Sequence, residues 1–548
     1  VEVQILAIND FHGNLEPPKL SVGATTADGR PVRVPAGGAA YLVTAMKTLR
    51  QGHPHSLTVS AGDVISASPL VSSLFLDEPT IAAMELAGLD YNAVGNHEFD
   101  RGRDELLRIQ RGGCRKFTNR EPCALERYDG ARFPFLSANV LKTDGSPLFK
   151  GIAIKQLGPV RIGIIGMTLK ETATLVGPAG VAGLTFADEA TSANALVPEL
   201  RRAGANAIVL LIHQGGYTSG SDNDKNCPNL SGDILPIIAK LDPAIDVIVS
   251  GHTHTAYVCE VPRTGAVPLL LTSAGRFGTL VTDIRLSFDG AGKLVGHGAD
   301  NRIVQSESYG VGASVVALAP SVPRYSPDPS TQALVDRYAS AARPIASRVV
   351  GRLAGPVTTI ENENGEQTAG FMVADAALAA GRDLGAQIAF TNSGGVRADL
   401  VPAADGTVTF GQIFTVQPFA NTLVVMTLTG SQLKQALEQQ FPTGPNDRAK
   451  WLLPSAGFMF EYDRLRPPGD RIVRIMLDGR PIEPNGNYRV AVNNFLASGG
   501  DNFSVFKEGA NAADAGLDVD ILSAWLREDR PVPLLGRMKS LPGIEPKP

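Results

Sequence analysis

Cysteine is scarce in this chain of 548 residues: there are four, Cys114, Cys123, Cys227 and Cys259. No two of them form a CxxC pair, which argues against a cysteine zinc centre. Long apolar runs are missing too. None approaches the roughly 18–20 residues that span a bilayer, so no transmembrane segment is expected. Nor is there an excess of positive charge. The formal net charge is −5, which speaks against a sequence-independent grip on nucleic-acid phosphates. No signal peptide is read at the start, where Val1 already opens a strand-like segment, and a processed N-terminus is the expectation.

The cysteines lie in suggestive surroundings. Cys114 and Cys123 bracket the polar stretch CRKFTNREPC, Cys227 lies in DNDKNCPNL, and Cys259 follows a His-rich strand end. Of the three possible pairings, 114–123 with 227–259 is preferred. The short loop would then stabilise the fold by about 2–4 kcal/mol. Four reduced thiols in a cytosolic enzyme are the alternative.

The length implies two or more domains, each with its own core. In the front half, apolar runs read as buried strands at Val3–Ile8, Leu57–Ser60, Asn92–Val94, Arg161–Ile165, Ala207–Ile212, Asp246–Val249 and Pro268–Thr272. Helical patterns such as GGAAYLVTAMKTLRQ, TIAAMELAG and TSANALVPELRRAG fall between several of them. Such alternation predicts an α/β layered fold with parallel strand pairs. Pro320–Ser330 reads as a linker and STQALVDRYASAARPIA as an interdomain helix. The expected domains are 1–325, a linker with its helix at 326–347, and a smaller α/β domain at 348–548. The latter has helices near Gly370–Ala380 and in SQLKQALEQQF, strands at Gln387–Thr391 and Leu423–Leu428, and a hairpin-like RIVRIMLDGRPIEPNGNYRVAV with turn signals at Asp478-Gly479 and Asn485-Gly486.

Chemistry gathers where the front strands end. The first runs into NDFHG (Asp10, His12), the next into AGD (Asp63), the third into GNHEFD (Asn96, His97, Asp100), and later ones into LIHQGG (His213) and SGHTH (His252, His254). Five of the eight histidines fall here. Ligands of open α/β sheets collect beyond the carboxyl ends of strands, so segments distant in sequence can reach one crevice. Carboxylate, imidazole and amide groups suit divalent metals. There are too many of them for one four-coordinate zinc, and two ions fit better. Asp10 and His12 can face one ion together, Asp63 can bridge both, Asn96 can serve the second, and His252 and His254 can serve one each. Such a pair about 3.5–4 Å apart acidifies a bound water and clamps an in-line phosphoryl displacement. His97 is then a donor to a phosphoryl oxygen or leaving group, with Asp100 orienting its ring. His53, His55 and His297 lie in polar stretches and read as solvated.

NDFHGNLEP, AGDVISASP, GNHEFD, IHQGG and SGHTH together resemble the calcineurin-like metallophosphoesterases. With NSGGVR, QPFANTL and NNFLASGGDNF, nearly the whole chain is similar to the secreted 5′-nucleotidase family, bacterial UDP-sugar hydrolase/5′-nucleotidases and animal ecto-5′-nucleotidases included. The resemblance implies an N-terminal α/β/β/α metallophosphoesterase domain joined by a linker helix to a nucleotide-binding domain. It also implies two divalent ions, zinc or manganese, one held by Asp10, His12, Asp63 and His254, the other by Asp63, Asn96, His213 and His252. His97 and Asp100 would be the catalytic dyad. Asn392 and Arg397 would meet the substrate, Phe419 and Phe495 would sandwich the base, and Asp501 would hold the ribose hydroxyls, with Asn421 a further candidate near the base. Arginines that the family tends to carry before the helix opening the second domain are missing from ENENGEQTAGFMVADA, which weighs against diphosphate or nucleotide-sugar substrates.

The expected function is hydrolysis of nucleoside 5′-monophosphates by metal-activated water in a periplasmic or secreted protein, a monomer or homodimer. The rivals are 2′,3′-cyclic nucleotide phosphodiesterase, UDP-sugar pyrophosphatase and, more remotely, a thiosulfate-ester hydrolase or a nucleotide-binding protein without turnover.

Overall fold

The computed structural model describes residues 1–26, 28–263, 267–310, 315–419, 421–441 and 449–541. Ala420 of QPFANTL and the expected domain end at 548 lie outside them. The chain divides into two compact units, Val1–Ala341 and Ala342–Pro548.

The apolar runs of the first unit are buried on both faces, which is why they read as continuous rather than alternating. Five strands carry the candidate site: β1 (Glu2–Ile8), β2 (Ser56–Ser60), β3 (Tyr91–Ala93), β4 (Ala207–His213) and β5 (Val247–Ser250). β1, β2 and β3 run parallel in one six-stranded sheet, in the order Leu294–Ile303, Leu280–Phe288, β1, β2, β3, Phe135–Leu136. β4 and β5 run parallel in a second six-stranded sheet, between Leu269–Ala274 and Val160–Thr168. Alternate residues build the layer between the sheets: Val3, Ile5 and Ala7 of β1 share a core with Val209 and Leu211 of β4 and Val247 and Val249 of β5. The intervening Ile208, Leu210 and Ile212 pack instead with Ala193, Val197 and Leu200 of the helix Glu189–Arg202. On the other flank the helix Ala39–Arg50 buries Leu42, Val43 and Met46 and packs against the helix Glu78–Ala87 and the strand Leu280–Phe288. The layering is α/β/β/α.

Asp328 caps the helix Pro329–Ala346, accepting from Thr331 N at 3.0 Å, with Pro329 pre-set for the first turn. His297 is not solvated in a loop: it stands half-buried on the strand Leu294–Ile303, with Nε2 2.6 Å from the Pro268 carbonyl. His53 lies with its Nδ1 3.3 Å from Glu2.

The second unit is built on a five-stranded mixed sheet in the order Leu452–Pro454, Ile388–Asn392, Asn487–Asn493, Thr422–Thr429, Ala510–Leu517. The helix Thr368–Gly381 packs on it. A separate four-stranded sheet contains Ile472–Leu477 and Phe458–Tyr462. The expected hairpin is only half present. Asp478-Gly479 does turn Ile472–Leu477 back onto Arg480–Pro481. After Asn485-Gly486, however, the chain crosses into the five-stranded sheet, where Asn487–Asn493 finds longer partners.

Candidate active site

Three of the five strands, β1, β2 and β5, hand over to loops whose backbone turns left-handed. Asp10, His12, Asp63, His252 and His254 all have positive φ, between 47° and 71°. Left-handed backbone in a non-glycine residue costs of order 1–3 kcal/mol and persists where surrounding structure demands it. Here it aims side chains from two sheets at one point. Glycines admit the close approach: a Cβ on Gly62 would sit 2.7 Å from the His213 Nδ1, and one on Gly95 2.2 Å from an Asp63 oxygen.

Asp10 Oδ1 lies 3.2 Å from His254 Nε2 and 3.8 Å from His12 Nε2, and the two imidazole nitrogens are 3.3 Å apart. Asp63 Oδ2 lies 2.8 Å from His213 Nε2 and 3.7 Å from His12 Nε2. His252 points its Nδ1 at Asn96 Oδ1, 3.2 Å away. Asp10, His12 and His254 form one group of potential ligand atoms, all within 4.8 Å of one another, and Asp63, His213 and His252 form another.

The donors are set for a cation. His12 and His213 commit their Nδ1 to the carbonyls of Ser66 (2.9 Å) and Ala61 (2.7 Å). A ring so tethered leaves Nε2 as its inward nitrogen, the arrangement of metal-ligating histidine. The His213 Nε2 is buried and makes no hydrogen bond of normal geometry, despite its closeness to Asp63. Burial alone would lower the His213 pKa; the Asp63 and Asp10 carboxylates outweigh it and raise the ring to about 10. Burial and then the charge on His213 take His252 the other way, to about 3. Burial opposes ionisation of Asp10 and Asp63, yet their histidine neighbours hold both below the usual carboxylate range. Two buried carboxylates thus draw on whatever positive charge is near, and a divalent cation is the natural source.

His97 stands on a short turn, His97–Phe99, with its ring edge-on to that of His12 at 5.1 Å. Its backbone N–H donates to Asp63 Oδ1 at 2.9 Å, and its Nδ1 meets Asp100 Oδ2 at 2.8 Å. A ring nitrogen of His97 also lies within 4.8 Å of potential ligand atoms of His12 and Asp63, so the ring borders the same cluster. The side chain is 13% exposed, more open than the buried His12 and His213.

Two supports have no counterpart among the residues expected from sequence. Glu98 is buried, and its carboxylate accepts three backbone N–H bonds, from Asp63 (2.9 Å), Val64 (2.8 Å) and Gly95 (2.7 Å). It staples the β2 loop to the β3 loop. Burial and then the Asp63 charge raise its pKa to about 8, against the pull of those donors. Asp77, also buried, accepts from Ser66 N at 3.0 Å and pairs with Arg101, holding the loop whose carbonyl takes the His12 ring.

In the second unit, Asn392 Nδ2 donates to Asp501 Oδ2 at 2.7 Å, and Asn493 Nδ2 approaches Asn392 Oδ1 at 3.3 Å. Phe495 packs its ring on Gly500, where a Cβ would come within 2.5 Å of it. Arg397 holds its guanidinium 5.8 Å from the centre of the Phe419 ring. Asn421 meets Asp518, whose N–H donates to the Asn421 carbonyl at 2.8 Å. The segment ENENGEQ, free of arginine, has another task. Glu366 accepts the N–H groups of Gly536, Arg537 and Met538 at 2.7–2.9 Å, and Glu361 lies 3.3 Å from the Trp451 indole N–H.

Comparison with known proteins decides the family. Residues 3–256 match the calcineurin-like phosphoesterase family, and residues 349–508 match the 5′-nucleotidase C-terminal domain. The chain thus pairs a calcineurin-like phosphoesterase domain with a 5′-nucleotidase C-terminal domain. Endonuclease YhcR of Bacillus subtilis is 31% identical over 503 residues, 91% of this chain but only 37% of the Bacillus protein. The 5′-nucleotidase of Homo sapiens is 26% identical over 571 residues, 96% of this chain and 88% of the human one. Among solved structures, the 5′-nucleotidase precursor of Thermus thermophilus superposes with a TM-score of 0.79 at 27% identity, covering 99% of this chain and 100% of that one.

The family's metallophosphoesterase fold implies divalent metal ions, and the ligand groups above are where this chain would hold them. Two disulfides, Cys114–Cys123 and Cys227–Cys259, close as the preferred pairing had it. No helix among the described residues is long and apolar enough to cross a membrane.

Proposed function

We propose that this chain is a metal-dependent 5′-nucleotidase, hydrolysing nucleoside 5′-monophosphates to nucleoside and phosphate, with a division of labour between domains at 1–325 and 348–548. The observation that carries it is the convergence of seven candidate ligands on a point beside a His97–Asp100 pair. The names of the human and Thermus relatives narrow the substrate.

The N-terminal site would hold two ions, zinc or manganese, with Asp63 serving both, Asp10, His12 and His254 serving one and Asn96, His213 and His252 the other. Bound there, such ions acidify water and draw charge from phosphoryl oxygens. His97, its ring fixed through Asp100, donates from Nε2 to the oxygen on which charge builds. In the C-terminal domain Asp501 accepts the ribose hydroxyls and Asn392 fixes the carboxylate. Arg397 offers planar donors to an anion. Phe419 and Phe495 take the faces of the base, an arrangement that tolerates any base. Asn421 lies toward its edge. The two disulfides support an oxidising compartment, periplasmic or extracellular.

Phosphate release from AMP by protein loaded with Mn²⁺ or Zn²⁺, abolished by a chelator, is the expected result. A panel including 2′,3′-cyclic AMP and UDP-glucose separates the neighbouring activities. No turnover of AMP by the metal-loaded chain rejects the reading.

A further inference from the structure

We infer that Lys450 extends the C-terminal nucleoside site into a subsite for a second phosphate on the ribose, so that nucleotides esterified at O3′ or O2′ as well as O5′ belong to the substrate class. This rests on the proposed assignment of Asp501 to the ribose hydroxyls.

Asp501 and Asn502 form a left-handed turn, with φ of 55° and 69°. One side of the Asp501 carboxylate is already satisfied: Oδ2 accepts from Asn392, which is itself backed by Asn493. Nothing on that side calls for a cation. The other oxygen, Oδ1, has the Lys450 ammonium 3.6 Å away. Lys450 rises from fixed ground. Its N–H donates to the Gln440 carbonyl at 2.8 Å, and the next residue, Trp451, is fully buried. The side chain itself remains 43% exposed. Lys507 lays its stem across Gly499 on the same turn, so close that a Cβ there would meet its Cε at 2.4 Å. Two lysines therefore flank a turn at which a ribose diol would need only an acceptor. The segment ENENGEQTAGFMVADA, by contrast, has neither lysine nor arginine.

The separation between Lys450 and Asp501 exceeds a hydrogen bond, and an ion pair this open contributes little by itself. It is readily exchanged for a phosphate. One ribose hydroxyl then donates to Asp501 while the phosphate ester on its neighbour meets Lys450. A 2′,3′-cyclic phosphate, with both oxygens esterified, gives Asp501 no donor and fits poorly. The reaction at the 5′ end is unchanged: water cleaves the 5′-phosphate ester, leaving phosphate and a 3′- or 2′-nucleotide.

The test compares kcat/KM for AMP with that for adenosine 3′,5′-bisphosphate and adenosine 2′,5′-bisphosphate. In Lys450→Met the ratio of the better bisphosphate to AMP is expected to fall at least ~3-fold, the scale of one half-exposed ion pair, and to recover in Lys450→Arg. A smaller fall, or no bisphosphate turnover by the wild type alongside normal AMP turnover, overturns the inference. Calorimetric binding to the metal-free full chain needs no turnover. Adenosine 3′-monophosphate or 2′-monophosphate is expected to bind at least ~3-fold tighter than adenosine, a preference lost in Lys450→Met. Equal affinities overturn the inference even where AMP is hydrolysed. The preference intact with no AMP hydrolysis would overturn the hydrolytic reading alone.

Discussion

His97 does two separable things. Its backbone N–H fixes an Asp63 oxygen, and its ring answers to Asp100. Substitution by alanine removes the ring and spares the N–H, so the proposed metal ligands should keep their places when the proposed acid is lost. His97→Ala is expected to bind metal as the wild type does while losing at least ~100-fold in kcat on AMP, the low end for a general acid or charge-stabilising donor. Metal analysis beside steady-state kinetics checks both halves; wild-type turnover would remove His97 from the chemistry. Residues of this kind were legible in the sequence because polar groups at the ends of apolar runs stand out. Glu98 was not, although it lies in the same six-residue stretch. Its partners are backbone N–H groups, two of them 34 and 35 residues earlier, and an N–H leaves no mark in a sequence.

At the scale of elements, the Glu98 staple couples the β2 and β3 loops, so its loss should disperse ligands rather than disarm an acid. Glu98→Ala is expected to weaken metal binding by tenfold or more, since three buried N–H groups lose their acceptor at roughly 1–3 kcal/mol each. Wild-type metal affinity in a chelator competition would refute this. A different element carries a pH dependence. Asp518, at the start of the helix Asp518–Trp525, is buried, and burial raises its pKa to about 7 against the donors Val519 and Asn421. An unfolded aspartate titrates near 3.9, so between about pH 4 and 7 the folded state binds the extra proton. Stability therefore falls as pH rises through that window and levels off above it, by at most about 4 kcal/mol. Asp518→Asn should flatten the slope; urea denaturation at pH 5 and pH 8 measures it, and equal slopes in the two proteins would exclude Asp518 as the source. The parallel strands were readable because both their faces are covered. The strand Leu294–Ile303 was not, since LVGHGADNRI alternates too weakly to announce itself. The Asn485-Gly486 turn misled because a turn signal states that the chain reverses locally, not which sheet the next strand joins.

For the whole molecule, two units with separate cores predict two thermal transitions, and the candidate ligands named above lie in the first unit. Adding Mn²⁺ or Zn²⁺ should raise one transition and leave the other in place, because a cation stabilises only the fold that binds it. Calorimetry of the full chain, with and without chelator, shows this directly; both transitions moving together would mean that the units melt as one. Composition and motifs made two such domains legible, whereas the Lys450–Asp501 approach joins positions 51 apart across residues with no shared pattern. The Cys227–Cys259 bridge has a practical corollary. It straps the segment after β4 to the strand after β5, and Lys225 lies just before it, its carbonyl accepting from Glu260 N at 3.2 Å. A recombinant host with a reducing cytosol would deliver the chain unstrapped. Trypsin should then nick it at Lys225, while material exported through an oxidising route resists the protease there.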